Sequence, residues 1–347
     1  MTRTYLDHNA TTPLRPEARA AMSAAMDVVG NPSSVHAEGR GAKGLIERAR
    51  AQVARAVGAE GAEVVFTASA TEAAAFALRG RGLRAAKVEH DAVLAWVEPG
   101  LAVDNAGRVA VDAPAESTLQ LANSETGVVQ DLPDGLAVSD MTQGFGKLTV
   151  DFLRSGALMG IVSAHKLGGP KGVGAVILRR GLDLEPVLKG GGQEMGRRAG
   201  TENVIGIAGF GAAAEAAARD VANGHWERVA ENRDLMEAAL EAAAGELIFF
   251  GKGAARLPNT SCFAVPGWKG ETQVMQMDLG GFAISAGSAC SSGKLRASGV
   301  LTAMGYDAAT AKSAIRVSLG PETTRDEVLR FAEYWAAAHG KFRARAA

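Results

Sequence analysis

Apolar residues along the chain follow two alternating patterns. Long stretches with apolar positions three and four residues apart predict helices over residues 15–29, 42–58, 204–222, 226–245 and 324–342. Short apolar runs of strand length lie between the second and third of these: EVVF (63–66), AAKV (85–88), TLQLA (118–122), GLAV (135–138), LMGIV (158–162) and GAVIL (174–178). Strands without polar alternation suit a sheet that is buried on both faces. The pattern therefore predicts an α/β fold around a mostly parallel sheet.

Polar and ionisable residues directly follow most of these predicted strands. The segments concerned are residues 67–71, 89–90, 123–125, 139–143 and 163–166. In an open parallel sheet the carboxyl ends of the strands converge, and ligands bind there. Loops after strands are commonly polar in any case, which accounts for the Ser and Asn residues. It accounts less well for a His, an Asp, a Gln and a Lys at different strand ends, so the sequence predicts a ligand site at this edge.

Composition limits the class of protein without identifying it. The 347 residues are 47% hydrophobic and 22% charged with a formal net charge of −1, as in ordinary globular proteins of one or two domains. This balance gives no electrostatic reason to expect nucleic acid or an acidic membrane as a partner. The start lacks the apolar core of a signal peptide, and we expect no membrane span. The two cysteines are too few for a disulfide framework, so we expect reduced thiols and a cytoplasmic location.

Several strand-end residues together fit a pyridoxal phosphate site. Lys166 follows a predicted buried strand, where desolvation lowers the pKa of an amine and frees it for Schiff-base chemistry, although a single lysine is more often a surface charge. Asp140 suits the protonated pyridine nitrogen of this cofactor. Gln143 and His90 can hydrogen-bond and cover the ring, and the helix start at residues 69–72 can bind the phosphate. Each assignment is weak alone, and this cofactor is the simplest explanation of all of them.

Ordered motifs along nearly the whole chain resemble those of the cysteine desulfurases. They are YLDHNATTP at the start, NPSSVHAEGR, FTASATEA, EHDAVL, ETGVVQD, DMTQGFGK, SAHKLGGPKGVGA, GGGQEMGRRAGTENV, LPNTS, SAGSAC and IRVSLG. These enzymes are class V aminotransferase-like proteins of fold type I. The resemblance therefore implies a large domain with a mostly parallel, seven-stranded-type sheet and a smaller α+β domain. We expect the large domain at residues 13–250 and the small domain at residues 1–12 and 251–347.

The resemblance also implies roles for individual residues around the cofactor. Lys166 would bind the cofactor aldehyde. The residues that would hold the phosphate are Ala70, Thr71, Ser163 and His165, with Thr201 supplied by the second subunit of a homodimer. The residues that would contact the ring are Asp140 at the pyridine nitrogen, Gln143 and Ser124 at the phenolate oxygen, and His90, which would stack on the ring and assist proton transfer.

On the substrate side, the resemblance implies that Arg316 of IRVSLG clamps the carboxylate of L-cysteine, and Asn31 is a weaker candidate for substrate contact. The sulfur would pass to Cys290, giving L-alanine and a persulfide for iron–sulfur cluster assembly or another sulfur-transfer pathway. We therefore expect a sulfur-acceptor protein, such as an iron–sulfur scaffold, as a partner. No metal is expected in the site.

The two cysteines stand in opposite sequence settings. TSCFAVP around Cys262 has the pattern of a core strand, which suits a buried small hydrophobe. SAGSACSSGKLRASG around Cys290 has no apolar pattern, and Lys294 and Arg296 would favour the thiolate. The length of this segment resembles the family branch with the longer, mobile cysteine loop. The sequence therefore predicts Cys290, and not Cys262, as the nucleophile.

The chain departs from the family pattern at a few positions. Ser124 stands where the family commonly has the second residue of Asn-Asn-Glu, so its contact with the phenolate oxygen depends on a shorter side chain. Segments 97–118 and 131–139 are short, and because a parallel crossover normally takes about a dozen residues or more, we expect the helix before Asp140 to be lost or reduced to a turn. The alternatives are a selenocysteine lyase or class V aminotransferase on the same scaffold, or a degenerate, non-catalytic scaffold paralogue.

Overall fold

The computed structural model describes residues 3–287 and 297–346. Its helices are α1 Pro16–Met26, α2 Ala37–Ala56, α3 Ala70–Leu78, α4 Asp91–Leu94, α5 Val204–Ala222, α6 His225–Ala243, α7 Gly270–Leu279, α8 Gly299–Ala303, α9 Ala308–Lys312 and α10 Arg325–Ala346. Its strands are β1 Thr4–Tyr5, β2 Glu63–Thr67, β3 Arg84–Ala85, β4 Glu98–Pro99, β5 Val138–Asp140, β6 Met159–Ser163, β7 Gly174–Leu178, β8 Ile248–Phe249, β9 Thr260–Ala264, β10 Phe282–Ala283, β11 Ser285–Ala286 and β12 Ala314–Ser318. Short 3-10 helices span Pro114–Glu116, Ala164–Lys166 and Gln193–Gly196. The predicted helical stretches correspond to α1, α2, α5, α6 and α10.

The predicted sheet is present. Strands β2, β7, β6 and β5 lie side by side in that order. The sheet continues where Thr118 pairs in parallel with Val138 and Ser117 pairs with Arg84 of β3, which in turn pairs with β4. Among the described strands of this sheet, β7 alone runs antiparallel to its neighbours. The mostly parallel sheet is therefore confirmed.

Helices cover both faces of this sheet, which explains the continuous apolar runs of its strands. α1, α2 and α5 pack on one face, around a cluster that includes Phe66 of β2 and Ile177 of β7. α3 packs on the other face, where the cluster includes Val65 of β2 and Val176 of β7. Because successive side chains of a strand point to opposite faces, neighbouring residues of one strand serve different cores.

A second, antiparallel sheet of order β11-β12-β9-β8 forms another core. Helices α6, α7 and α10 surround it, and the cluster contains the buried rings of Trp268, Phe331 and Trp335. The predicted division into residues 13–250 on one side and residues 1–12 with 251–347 on the other stays a prediction. Helix α6 and strand β8 precede residue 251 in the chain, yet they pack into this second core.

The two segments predicted to be short contain no α-helix in the described structure. Residues 131–137 reach β5 through a turn, in which the Leu136 N–H donates to the Pro133 carbonyl at 3.3 Å. Residues 97–118 hold only β4, a 3-10 turn and isolated bridges that involve Val103 with Val109, Ser117 and Thr118. The expected loss of the helix before Asp140 is confirmed.

Candidate active site

The carboxyl ends of β2, β5 and β6 border a cavity of about 210 Å³. Nine residues assigned to the cofactor from the sequence line it: Ala70, Thr71, His90, Ser124, Asp140, Gln143, Ser163, His165 and Lys166. Ser69, from the helix start predicted to bind the phosphate, lines it as well, and so do Gln120 and Thr142, which were not predicted as cofactor contacts. Residues separated by nearly 100 positions therefore meet because parallel strands end at the same edge of the sheet.

The start of α3 forms one wall of the cavity and has the features of an anion site. Ser69 is the N-cap, and its side chain accepts from the Glu72 N–H at 3.2 Å. Ala70 and Thr71, the next two residues, line the cavity at the positive end of the helix dipole. Strand β7 passes close below, since a Cβ added to Gly174 would lie 2.6 Å from the Ser69 carbonyl carbon. The site therefore fits a phosphate group, which backbone N–H groups and a helix dipole bind well.

Lys166 reaches the cavity from the 3-10 turn that directly follows β6. Its Nζ donates to the backbone carbonyl of Asn9 at 2.6 Å and to that of Ala10 at 3.0 Å. These carbonyls belong to the N-terminal DHNATT motif, which the Lys166 carbonyl also contacts by accepting from the Thr12 hydroxyl at 3.0 Å. The amine is thereby held at the cavity wall, where a carbonyl carbon of a ligand could reach it.

Asp140 lies at the end of β5, where its Oδ1 accepts from the Thr142 N–H at 2.9 Å. The Thr142 hydroxyl is buried and has no hydrogen-bond partner among the described residues, as expected for a group that faces a ligand. Glu89 lies behind this wall, and burial, with Asp140 as the second cause, raises the pKa of its carboxyl to about 8. Glu89 is therefore protonated at neutral pH, and Asp140 does not face a second negative charge.

Glu89→Gln should stabilise the protein increasingly as the pH rises. In the folded state the raised pKa keeps the proton on Glu89 between pH 4.5 and about 8, whereas the unfolded chain releases it. Wild-type stability therefore falls relative to the variant by up to about 1.4 kcal/mol per pH unit in this window. Melting curves across this pH range would show the divergence. Glu98→Gln at an exposed position is the control, and parallel curves for Glu89→Gln and wild type would contradict the assignment.

The two cavity histidines are placed as neutral bases. The Nδ1 of His90 accepts from the Ala92 N–H at 3.1 Å at the start of α4, which leaves Nε2 as the protonated nitrogen of a neutral ring. The Nδ1 of His165 lies 3.1 Å from the Thr11 hydroxyl. Burial, followed by the charges of Lys166 and other lysines, lowers the pKa of His165 to about 4. A neutral ring at either position can donate one hydrogen bond and accept another.

Arg316 does not line this cavity. Its side chain is 3% exposed and lies on β12, where it donates to Asp7 Oδ1 at 2.7 Å and to the Ser124 carbonyl at 2.9 Å. Its Nε is buried and has no partner among the described residues. Because Ser124 lines the cavity, the guanidinium lies directly behind the cavity wall.

Two other predicted residues that the structure describes, Asn31 and Thr201, do not line the cavity. Asn31 lies next to a separate groove and accepts from the Ser33 N–H at 2.9 Å. Thr201 lines a small cavity of about 200 Å³ with Arg198. Cys290, with Lys294 and Arg296, lies outside the described residues. Cys262 is fully buried in β9, and burial raises the pKa of its thiol, so it is unsuited to act as a nucleophile.

Two polar residues beside the site were not predicted from the sequence. Asn9 contacts Lys166 through its backbone carbonyl, and Lys147 is a buried lysine that donates to Asn9 and Gln143. Both residues belong to motifs that the sequence analysis quoted: Asn9 lies in DHNATT and Lys147 in DMTQGFGK. Only the fold shows that these two motifs meet.

Comparison with known proteins identifies several relatives along nearly the whole chain. The aminotransferase class-V family model matches residues 4–98 and 116–331. A cysteine desulfurase from Cereibacter sphaeroides is 38% identical over 96% of this chain and 95% of its own length. Another from a Frankia species is 40% identical over 93% of this chain and 88% of its own. The cysteine desulfurase IscS of Dictyoglomus turgidum is 36% identical over 93% and 91%. The unmatched residues 99–115 fall within the segment that the sequence predicts to be short.

Solved structures show the same similarity. A NifS-like protein from Rickettsia africae superposes with a TM-score of 0.88 at 29% identity, over 97% of this chain and 99% of its own. In the parts of the chain that the structure describes, no helix is long and apolar enough to cross a membrane. The described His, Cys, Asp and Glu side chains also form no group suited to hold a metal ion.

Proposed function

The chain belongs to the class V aminotransferase family and is a cysteine desulfurase, and from this premise we propose how its own residues serve the reaction. The enzyme depends on pyridoxal phosphate and acts on L-cysteine. When bound, this cofactor supplies an electron sink that weakens the C–S bond of the substrate. The main support for the proposal is the convergence of Lys166, Asp140, Gln143 and the start of α3 on one cavity.

The cavity residues fit the parts of the cofactor in a consistent order. We assign the phosphate to the N-terminal turn of α3 together with Ser163 and His165, the pyridine nitrogen to Asp140, and the ring face to His90. Gln143 and Ser124 lie on the remaining wall and are assigned to the phenolate oxygen. Lys166 would hold the cofactor aldehyde.

Lys166 and His90 are the groups that can move protons near the substrate. The Lys166 amine, when it is not bound to the cofactor, could remove the proton from the substrate Cα, because it lies at the cavity wall beside the Asn9 carbonyl. The neutral imidazole of His90 retains one N–H, and a hydrogen bond from it to the substrate can assist that proton transfer. Both groups line the same 210 Å³ cavity, so one small substrate can contact both.

Arg316 is proposed to bind the carboxylate of L-cysteine. Its guanidinium already lies against the Ser124 carbonyl at the cavity wall, and its buried Nε has no partner among the described residues. Asp7 fixes its orientation at 2.7 Å. A guanidinium held in this way can offer a carboxylate a charge-assisted, two-pronged contact. Asn31 remains a weaker candidate, because it lies at another groove of the same chain.

Arg316→Lys should weaken substrate binding more than it slows turnover. Lysine keeps the positive charge opposite Asp7 but loses the planar fork that can bind a carboxylate with two parallel hydrogen bonds. Loss of one charge-assisted hydrogen bond should raise KM for L-cysteine by about tenfold, with kcat within about threefold of wild type. Steady-state kinetics with alanine as the measured product test this. An unchanged KM in a variant that melts like wild type would remove Arg316 from the substrate site.

Cys290 is proposed as the residue that accepts the sulfur. It lies outside the described residues, but the described positions on both sides of it are tied to the site. Ser285 donates to Asp7 Oδ2 at 2.7 Å, and Ser298 donates to Glu125 Oε2 at 2.5 Å. The same Asp7 carboxylate holds Arg316. The chain on each side of Cys290 is therefore fixed next to the proposed carboxylate-binding group.

We propose a homodimer in which Thr201 contacts the cofactor phosphate of the partner subunit. Within its own chain Thr201 lies away from the Lys166 cavity. A groove of about 860 Å³ nearby is lined by Val35 and Met195, whose exposed fractions are 86% and 68%. Met195 and Glu194 have positive φ angles of 57° and 48°, and Glu194 is held there by Arg50 at 2.7 Å. Positive φ angles are unfavourable for residues other than glycine, and here they accompany an exposed methionine side chain. An exposed apolar side chain in such a groove suits a subunit interface.

The persulfide is proposed to pass to a sulfur-acceptor protein, such as a scaffold for iron–sulfur cluster assembly. A relative that bears the name IscS is 36% identical over nearly its full length, which supports this assignment. We further propose that the enzyme works in the cytoplasm, where its two cysteines would stay reduced.

The proposed function is tested with protein reconstituted with pyridoxal phosphate and supplied with L-cysteine and a thiol reductant. We expect L-alanine and sulfide in equal amounts. Amino transfer to a keto acid without release of sulfide would indicate a class V aminotransferase instead. A strong preference for L-selenocysteine, with little turnover of L-cysteine, would indicate a selenocysteine lyase. Absence of any turnover in protein that binds the cofactor would support the scaffold alternative.

A further inference from the structure

Lys147 is a buried lysine that the reaction as described does not use. It belongs to the DMTQGFGK motif and is 2% exposed, yet it does not line the Lys166 cavity. Among the described residues, no carboxylate lies within ion-pair distance of it. Lysines are almost never fully buried unless paired, because desolvating an ammonium costs free energy. The burial of Lys147 therefore calls for a specific explanation.

Both hydrogen-bond partners of Lys147 are side-chain amide oxygens. Its Nζ donates to Gln143 Oε1 at 2.7 Å and to Asn9 Oδ1 at 3.0 Å. Burial, followed by the positive charges of Lys166 and Arg316, lowers the pKa of Lys147 well below its ordinary value. A neutral amine keeps two N–H donors, which matches the two acceptors. Lys147 can therefore satisfy both contacts whether or not it is charged.

These contacts decide which end of the Gln143 amide faces the cavity. The two ends of an amide have nearly the same shape but opposite hydrogen-bonding character. Because the N–H groups of Lys147 point at Oε1, the Nε2 end must point elsewhere, and it donates to the Asn9 carbonyl at 2.9 Å. Nε2 carries a second N–H, so the group that the amide can still offer to the cavity that Gln143 lines is a donor and not an acceptor.

A donor at this position is what the proposed ligand needs. Gln143 is assigned to the phenolate oxygen of pyridoxal phosphate, an anionic acceptor. If the amide were reversed, Oε1 would face that oxygen, and two acceptors would repel each other. The free energy of cofactor binding therefore depends on the orientation of the Gln143 amide, and Lys147 selects this orientation.

The second contact of Lys147, with Asn9, also affects the position of Lys166. Asn9 Oδ1 accepts from Lys147 and from Asn259 Nδ2 at 3.1 Å, and Asn9 Nδ2 donates to Thr260 Oγ1 at 2.8 Å. With its side chain fixed on both ends, Asn9 has little freedom to move its backbone carbonyl. That carbonyl accepts from Lys166 Nζ at 2.6 Å.

We propose that Lys147 is a positioning residue for the cofactor. It holds the Gln143 amide in the orientation that presents an N–H to the phenolate oxygen, and through Asn9 it fixes the carbonyl that contacts Lys166. This inference rests on the proposed function, since it assumes that pyridoxal phosphate binds in the Lys166 cavity. It assigns to Lys147 no contact with substrate or cofactor.

The other charged or titratable groups around Lys147 are His8 from the N-terminal segment, His165 and Lys166 after β6, and Arg316 from β12. Burial, with Lys147 as the second cause, lowers the pKa of His8 to about 4, and burial also lowers that of His165 to about 4. Both histidines are therefore neutral across the pH range in which the enzyme would be studied. A titration above pH 5 is therefore free of changes in the charge of these two rings.

The test is a pH titration of the visible absorption band of the reconstituted enzyme. In Lys147→Met, the phenolate oxygen loses its oriented donor, and this loss makes it more basic. The pH midpoint of the band should therefore move upward by about one unit. Pyridoxal phosphate should also bind about fivefold more weakly, as expected for one lost hydrogen bond. Lys147→Gln, which is uncharged but retains N–H donors, should recover at least half of both effects.

Two controls separate a positioning role from a structural one. Lys171→Met removes an exposed amine whose charge also acts on His165, and it should leave the midpoint unchanged. In a Gln143→Leu background, Lys147→Met should add little further shift, because its partner is gone. The proposal is overturned if Lys147→Met titrates like wild type, or if its full shift persists in the Gln143→Leu background. If wild type itself forms no visible band, it is the proposed function that fails.

Discussion

Lys166→Ala is expected to lower the rate of alanine formation from L-cysteine by at least about a thousandfold. The amine is assigned two tasks, binding the cofactor aldehyde and moving the proton at the substrate Cα, and proton transfer by a positioned group alone contributes about 10²–10⁴. The structure places no equivalent amine at the cavity, because Lys147, the other buried lysine of the described region near it, donates away from the cavity to Gln143 and Asn9.

The same variant provides a chemical readout that does not depend on turnover. Borohydride should couple the cofactor to the wild-type chain at Lys166, and peptide mapping should locate it in the segment SAHKLGGPK. Lys166→Ala should remain unlabelled, while Lys171→Met, five residues away in the same segment, should be labelled as fully as wild type. Labelling of the Lys166→Ala protein at another lysine would contradict the assignment of the cofactor site.

Cys290→Ala is the second substitution with a large expected effect. It should abolish formation of the protein-bound persulfide and lower alanine release by at least about a hundredfold, because its thiolate is proposed as the nucleophile that takes the substrate sulfur. Its visible band and its affinity for pyridoxal phosphate should match those of wild type, since Cys290 is assigned no contact with the cofactor. Absorption spectra with and without L-cysteine, together with alanine assays, separate these effects.

Cys262→Ala is the matched control, because it removes the other thiol of the chain. Cys262 is buried in β9 among apolar residues, so its loss should cost stability and leave the persulfide intact. A persulfide that survives in Cys290→Ala and disappears in Cys262→Ala would reverse the assignment. Full activity of both variants would show that sulfur leaves the substrate without a protein thiol.

The sheet and the edge at which the site forms could be predicted from the sequence because the signals were local. Each apolar run, such as residues 63–66 or 174–178, is long enough for a strand and is followed by polar residues. The lost helix before Asp140 was also predictable, because the segment is too short for a crossover helix. The direction of β7 was not, since an apolar run has the same pattern in parallel and antiparallel strands.

The polar network behind the site could not be predicted because its contacts join distant parts of the chain. Asp7 pairs with Arg316 across 309 positions, and Lys147 contacts Asn9 across 138. Nothing in the residues around Lys147 distinguishes a buried lysine from an exposed one. Its role follows only from the packing of β12 and the N-terminal segment against the end of the sheet.

Arg316 was predicted as a site residue from its motif, but its contacts were not. IRVSLG implied that Arg316 binds the substrate carboxylate, and the structure places the guanidinium just behind the cavity wall, in contact with Asp7 and the Ser124 carbonyl. The residue type and the motif could be identified from sequence. The aspartate that orients it, and that also accepts from Ser285 near Cys290, required the fold.

The most direct test follows the sulfur atom through one turnover. Enzyme loaded with pyridoxal phosphate is mixed with less than one equivalent of L-cysteine and no reductant, then digested and mapped by mass spectrometry. One additional sulfur should appear on the peptide that contains Cys290, in an amount equal to the alanine released, and the Lys166→Ala protein should show neither product. Alanine without sulfur on Cys290, or sulfur on Cys290 in the absence of Lys166, would contradict the account in which one amine and one thiol share the reaction.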